Sequence, residues 1–172
     1  MQRVVGIIFI IAGCSGLGLL YRQDLCQGLQ ELRNLKHMLE MLMSEIRYHK
    51  STLPEACRQV GKRTQEPYGS ALLSLYDMLR EHNGKSFREG WRENMEKCLK
   101  KLPVSEKERD MVFGVGECEG FSDPDMQLRA MEQYRDMLES RVKTREAQLH
   151  QQGRMAAGLG IMSGLLLVII LI

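Results

Sequence analysis

Hydrophobic side chains recur at helical spacing along most of the chain, with charged residues between them. From Leu25 to Ile46, leucines return every three or four residues, which is the repeat of one face of an α-helix. Similar repeats follow at 52–61, 67–82, 86–102, 105–116 and 122–153. Aromatic residues make up only 6% of the chain and there are 12 methionines, a composition that favours helices over strands. The pattern predicts an all-α protein with six helical segments.

Capping residues mark where four of these segments begin. In each case a hydroxyl residue stands three positions before an acid: Thr52 and Glu55, Ser86 and Glu89, Ser105 and Glu108, Ser122 and Asp125. This spacing is typical of a capping box, in which each side chain satisfies a free backbone amide of the first turn. The predicted helices are therefore joined by short turns.

The two ends of the chain carry no charge over 18 residues each. These stretches are Val4–Tyr21 and Met155–Ile172, and every acidic residue lies between 22 and 154. Eighteen helical residues rise about 27 Å, close to the roughly 30 Å hydrocarbon core of a bilayer. The sequence therefore predicts a transmembrane helix at 1–21, a helical domain at 22–154 and a second transmembrane helix at 155–172.

Basic residues crowd the inner side of both predicted spans. Within twenty residues of the spans, that side holds Arg22, Arg33, Lys36, Arg135, Arg141, Lys143, Arg145 and Arg154, against Arg3 alone outside. By the positive-inside rule this bias favours a cytoplasmic domain in the cell membrane. We expect Arg22, Arg145 and Arg154 to lie near the headgroups, where each adds about 1 kcal/mol of attraction to anionic lipid.

Small residues recur four positions apart in both apolar ends. Ala12 and Gly16 have this spacing in the first, and Gly160 and Gly164 form a GxxxG spacing in the second. Such spacing lets helix backbones approach closely within a membrane. It is compatible with homo-oligomer contacts and with contacts to the span of a partner.

The residues Ile11–Cys14 support a competing hypothesis. They resemble the lipobox of bacterial lipoproteins and follow a basic start and an apolar stretch. The protein would then be an extracytoplasmic binding protein held by lipid at Cys14. The chain stays apolar from Cys14 through Tyr21, where a lipoprotein usually begins a polar tether, and this disfavours the alternative.

No group of residues matches a catalytic, metal or cofactor site. The five cysteines include no CxxC pair, and no histidine has a partner at metal-ligand spacing. The sequence GVGECEG lacks the Lys-Ser/Thr ending of a phosphate-binding loop. A net charge of +2 gives no electrostatic footprint for nucleic acid. These observations predict a protein that is not an enzyme, holds no cofactor and binds no nucleic acid.

Chain connectivity predicts which corners lie far from the membrane. The first helix leaves the bilayer and the sixth returns to it, so the corner at Tyr48–Pro54 and the corner at Gly116–Asp123 should share the far end. There they can form one surface for a partner.

Three stretches and the N-terminal apolar segment resemble the stage III sporulation protein AB family of endospore-forming bacteria. The stretches are LRNLKHMLEMLMSEIRYHKSTLPEA, FGVGECEGFSDPDMQ and GLGIMSGLLLVIILI. Cys57 and the Glu117-Cys118-Glu119 triplet depart from the family pattern.

The resemblance implies a membrane component of a channel between mother cell and forespore. Its domain is expected to be a cytosolic antiparallel six-helix bundle, similar to the platform protein of type II secretion and type IV pilus machines. Such platforms sit over the ATPase of the apparatus, which makes this ATPase and the other channel subunits the expected partners. The residues we expect to contact the ATPase are Tyr48, Leu53, Pro54, Gly120, Ser122 and Asp123.

Overall fold

A computed structural model describes the backbone of residues 2–81, 84–120 and 123–171, and the side chains of residues 23, 25–81, 84–119 and 123–151. These residues form six α-helices, one 3-10 helix and no strand, which confirms the all-α prediction for this part of the chain. The helices are α1 (Gln2–His49), α2 (Leu53–Gly61), α3 (Tyr68–Arg80), α4 (Phe87–Leu99), α5 (Glu106–Gly114), the 3-10 helix (Val115–Gly120) and α6 (Pro124–Leu171).

The two longest helices, α1 and α6, pack along each other. Each has 48 residues, which corresponds to about 72 Å at 1.5 Å per residue. Three ion pairs join them: Arg33 with Glu146 at 2.6 Å, Lys36 with Glu139 at 3.6 Å, and Arg47 with Glu132 at 2.6 Å. Because early positions of α1 pair with late positions of α6, the two helices run antiparallel.

The predicted leucine stripe of α1 is one side of the hydrophobic core. Leu32, Leu35 and Leu42 are fully buried, and Ile46 is 3% exposed. Burial of a leucine side chain contributes about 1.5–3 kcal/mol relative to leaving it exposed. The stripe therefore holds the shorter helices against the long pair.

The two predicted transmembrane segments lie outside the residues whose side chains are described. Their backbones at 2–21 and 155–171 continue α1 and α6 without a break. Within the part of the chain whose side chains are described, no helix combines the length and apolar character that crossing a membrane requires. The following predicted residues also lie outside that part: Ala12, Cys14, Gly16, Arg22, Arg154, Gly160 and Gly164.

Two predicted capping boxes are present. The Ser86 amide donates to Glu89 Oε2 at 3.1 Å, and the Glu89 amide donates to Ser86 Oγ at 3.3 Å. At the start of α5, the Ser105 amide donates to Glu108 Oε2 at 2.8 Å. These bonds satisfy backbone donors that the first helical turn leaves free.

The predicted box at α2 is wrong, and the start of α6 differs by one residue. Thr52 makes no side-chain cap hydrogen bond, and the Glu55 carboxylate accepts from Arg58 at 3.1 Å. At α6 the cap is Asp123, whose Oδ1 accepts from the Asp125 amide at 3.1 Å. Ser122, the predicted cap, lies outside the described residues.

Trp91 ties α4 to α5 and the 3-10 helix. Its ring is fully buried, and its indole N–H donates to the Val112 carbonyl at 2.7 Å. A β-carbon at Gly116 would lie 2.9 Å from Trp91 Cδ1, so only glycine lets the 3-10 helix pass this close. The three elements therefore pack as one unit against α6.

A second polar anchor fixes the start of α3 to α1. The buried Tyr68 hydroxyl donates to Glu31 Oε2 at 2.6 Å. Burial, helped by this bond, raises the pKa of Tyr68 far above its ordinary range. The start of α3 therefore lies at the same height as Glu31 on α1.

The end of the bundle near Gly28 is closed by a buried ion pair. Arg145 on α6 donates through Nε to Glu108 Oε1 at 3.0 Å and through Nη2 to Glu108 Oε2 at 2.6 Å. The same guanidinium donates to the Pro103 carbonyl at 3.4 Å. We call this the closed end, defined by Gly28, Pro103, Glu108 and Arg145.

Candidate functional site

The corner between α1 and α2 lies beside the corner between α5 and α6. Together they enclose a groove of about 320 Å³, as expected if both corners share one surface. This corner groove is lined by Ile46, Lys50, Ser51, Thr52, Leu53, Pro54, Glu119, Pro124 and Gln127. It lies at the end of the bundle opposite the closed end, because Lys50 follows the last turn of α1.

Lys50 makes the turn that opens the groove. Its φ is 54°, in the left-handed region that costs a non-glycine residue about 1–2 kcal/mol. Such conformations persist only where surrounding structure imposes them, and they are concentrated at functional sites. Here the turn ends α1 and places an exposed lysine on the groove wall.

Glu119 places a carboxylate on the opposite wall. Burial of part of its side chain raises the pKa of the carboxyl, and a hydrogen bond from the Phe87 amide opposes the shift. The Glu119 charge also adds to the effect of burial in raising the pKa of the Cys57 thiol. The groove therefore presents charges of both signs around an apolar floor.

Two large hydrophobic side chains stand exposed on the residues flanking the groove. Tyr48 is 73% exposed on the last turn of α1, and Met126 is 52% exposed on the first turn of α6. The remaining large hydrophobic side chain that the described residues expose is Met137, at 43%, more than ten residues further along α6. Tyr48 and Met126 do not line the groove themselves, but each lies within two residues of a lining residue along its helix.

The predicted contact residues divide into several classes. Tyr48 is on the surface, and Pro54 is partly exposed in the groove. Leu53 lines the groove but is only 2% exposed, so most of its side chain belongs to the core. Asp123 is exposed, and its carboxylate caps α6.

The other two predicted contacts are described less completely. Gly120 ends the 3-10 helix, and only its backbone is described. Ser122 lies outside the described residues.

Seven of the nine residues that line the groove were not among the predicted contact residues: Ile46, Lys50, Ser51, Thr52, Glu119, Pro124 and Gln127. A lysine after a helix does not signal a left-handed turn, since glycine or asparagine is the usual residue there. The proximity of the two corners to each other, rather than any local motif, identifies these residues.

Arg145, predicted to be a membrane-proximal basic residue, is largely buried at the closed end. Its side chain is 16% exposed and is held by the Glu108 carboxylate inside the closed end. A guanidinium that donates to both oxygens of one carboxylate forms a strong, directional ion pair with it. Arg145 therefore serves the interior of the bundle, and we do not place it among the residues that face lipid.

The buried cysteines are unsuited to nucleophilic chemistry. Burial raises the pKa of Cys98 to about 12 and that of Cys118 to about 11, and it raises the pKa of Cys57 beyond that range. All three therefore stay protonated near neutral pH, whereas the thiolate is the reactive form. Among the described residues, no group of three potential ligands is placed to hold a metal ion.

Comparisons with known proteins agree with one another. A sequence model of the family described as stage III sporulation protein AB matches residues 3–172. The stage III sporulation protein AB of Bacillus subtilis (strain 168) is 23% identical over 171 residues, which cover 99% of each chain. The names of this family and of this relative refer to a stage of sporulation.

A solved structure has the same fold. It is a stage III sporulation protein AB that superposes with a TM-score of 0.64 at 22% identity. The match covers 72% of this chain and 97% of the solved chain.

Proposed function

Because the chain belongs to the stage III sporulation protein AB family, we propose that it is a non-enzymatic platform subunit of a secretion-like sporulation channel. In this proposal α1 and α6 anchor it in the mother-cell membrane around the forespore, with residues 22–154 in the cytoplasm. The corner groove then faces the cytoplasm and docks the ATPase of the apparatus.

The observation that supports the proposal is the corner groove, together with the exposed side chains next to it along α1 and α6. Tyr48 and Met126 provide apolar area, and Lys50 and Glu119 provide charges of both signs. Aromatic and methionine side chains are enriched in protein interfaces, and charged neighbours give such interfaces specificity. The groove is also at the end of the bundle farthest from the predicted spans, where a large soluble partner has free access.

Surface substitutions on the flanks test the docking role. Tyr48→Glu and Met126→Glu replace two exposed hydrophobic side chains, one on each helix next to the groove, by carboxylates without disturbing buried contacts. We expect the double variant to lower spore yield at least tenfold and to abolish co-purification of the ATPase, because desolvating two new carboxylates at an interface costs several kcal/mol. The readouts are heat-resistant spore counts and pull-down from sporulating cells.

Met137→Glu is the matched control, since it adds the same charge to an exposed methionine of α6 away from the groove. It should leave spore yield and co-purification unchanged. Normal docking by the double variant would contradict the proposal. Leu53 is unsuitable for this test because a charge there would disrupt the core.

Membrane topology is tested with a cysteine at the groove. Cys118 is buried, so the accessible position Tyr48→Cys is used in a chain with Cys14 and Cys26 replaced by serine. A membrane-impermeant maleimide should label it only after lysis. Labelling of intact cells would favour the lipid-anchored alternative instead. So would an intact mass of the wild-type chain, which keeps Cys14, showing cleavage before this residue with added acyl chains.

A further inference from the structure

The loop between α4 and α5, together with the first turn of α5, carries concentrated positive charge. Lys100, Lys101 and Lys107 are all exposed, and the one acid between 100 and 107 is Glu106. The ion pairs found among the described residues include none of these three lysines. We call residues 100–107 the basic loop.

Helix dipoles explain only part of this charge. Lys100 follows the last turn of α4, where a cation is favourable. Lys107 lies in the first turn of α5, where the dipole disfavours a cation. Attraction to an external anionic surface would favour a lysine at both positions.

The basic loop is held firmly in place. The Val104 amide donates to the Leu102 carbonyl at 2.8 Å, and Val104 is 6% exposed. Leu102 is half-buried and packs against the core. With these apolar side chains directed inward, the lysines are presented outward.

The loop lies at the closed end, close to the predicted first span. A β-carbon at Gly28 would lie 2.7 Å from the Pro103 carbonyl oxygen, so α1 passes directly beside the loop at residue 28. Residue 28 is seven residues beyond Tyr21, or about 10 Å along the helix axis. The headgroup layer is about 5–8 Å thick on each side of the hydrocarbon core. Long, flexible lysine side chains are able to bridge the remaining distance.

We propose that the basic loop binds an anionic lipid surface through Lys100, Lys101 and Lys107. The bundle would then touch the membrane at a third point besides α1 and α6, which restrains it from tilting about the two helices. This inference rests on the proposed anchoring of both helices in the membrane.

Lysine reactivity in the full chain tests the inference. The protein is reconstituted into nanodiscs of phosphatidylcholine alone or of phosphatidylcholine with phosphatidylglycerol, and acetylation by an N-hydroxysuccinimide ester is followed by peptide mass spectrometry. Protons accumulate about threefold at an anionic surface, which lowers the neutral fraction of a nearby amine by the same factor. We expect Lys100, Lys101 and Lys107 to react about threefold more slowly in the anionic discs.

Lys50 is the internal control. It is exposed and lies 22 residues beyond Gly28, or about 33 Å farther along α1, several Debye lengths from the surface. Its rate should be equal in both discs, and added salt of about 0.5 M should remove the difference at the basic loop.

The outcomes separate this inference from the proposed function. If the chain is incorporated into both discs and the lysines of the basic loop react at equal rates in both, as Lys50 does, the lipid contact is overturned and the anchoring stands. A chain that does not remain with the discs overturns the anchoring and the lipid contact together. Slower reaction restricted to the three lysines and reversed by salt supports the contact.

Discussion

The two ends of the bundle use charged residues in opposite ways. At the closed end, Arg145 and Glu108 satisfy each other in a buried bidentate pair. At the corner groove, Lys50 and Glu119 line an open cavity of about 320 Å³. The buried pair at the closed end therefore serves internal order, whereas the two charges of the groove remain available to a partner. The function of a charged residue depends on its burial, which the residue type alone does not give.

The largest expected effect comes from breaking the closed end. Arg145→Ala leaves the Glu108 carboxylate, 4% exposed, without its partner. We expect the free energy of unfolding to fall by about 3–5 kcal/mol, the usual cost of removing one member of a buried pair. Urea unfolding of the full chain in mild detergent, followed by the fluorescence of Trp91, measures this change.

Arg33→Ala is the control for that experiment. Its ion pair with Glu146 has the same 2.6 Å separation, but both side chains are substantially exposed. An exposed pair contributes about 0–1 kcal/mol. Equal losses in the two variants would contradict the distinction drawn between the ends.

A smaller loss is expected from Gly28→Ala at the same end. The new β-carbon would lie 2.7 Å from the Pro103 carbonyl oxygen and would also meet the Arg145 guanidinium. Overpacking costs about 1–3 kcal/mol, and the better helix propensity of alanine offsets about 1 kcal/mol of that cost. The net decrease in the free energy of unfolding should be about 0–2 kcal/mol by the same urea titration. Gln27→Ala, at an exposed neighbouring position, should lose nothing.

At the corner groove, relieving strain should stabilise the protein. Lys50→Gly removes the β-carbon from a left-handed backbone, and the gain is reduced by the greater flexibility of glycine in the unfolded chain. We expect about 0.5 kcal/mol of added stability together with weaker ATPase docking. Lys50→Ala keeps the strain and removes the charge, so it should weaken docking without adding stability. A gain in the alanine variant equal to that in the glycine variant would exclude the strain as its cause.

The smallest expected effect is a pH dependence at Glu119. Burial raises the pKa of this carboxyl in the folded state, so ionising it costs more in the folded than in the unfolded chain. This penalty is absent below the ordinary glutamate pKa and complete above the raised value. Glu119→Gln should therefore match the wild type in acid and melt slightly higher at neutral pH.

The matched control is Glu117→Gln on the same 3-10 helix. Its carboxylate pairs with Arg88 at 2.9 Å, so the substitution should not raise the melting temperature at neutral pH. Thermal unfolding at a series of pH values compares the two variants. An unchanged difference between Glu119→Gln and the wild type across the series would show that Glu119 is ionised equally easily in both states.

Much of the fold could be predicted because its signals are local. The leucine stripe of α1 and the boxes at Ser86 and Ser105 depend on residues three or four positions apart, and the structure confirms them. The box at Thr52 is absent, and Glu55 accepts from Arg58 within the same helix. A pattern of residue types does not tell which of several local hydrogen bonds a side chain makes.

The candidate site was predicted only in outline. Connectivity predicted that the two corners would adjoin, and Pro54, predicted to contact the ATPase, lines the groove between them. The burial of Leu53 and the participation of Lys50 and Glu119 depend on how the helices pack across the corner. Such contacts join residues some 70 positions apart, which no window along the chain can detect.

The sequence by itself determined the helices, the places where most of them begin and the family, because helical periodicity and capping act over one or two turns and the family pattern spans the whole chain. Only the tertiary structure decided which charges are buried, since burial depends on contacts between distant segments. It buried Arg145 against Glu108 and left Lys50 exposed on a groove. Solvent access determines how much free energy is lost when one member of an ion pair is removed. A buried charge therefore stabilises the fold, whereas an exposed charge remains available to a partner.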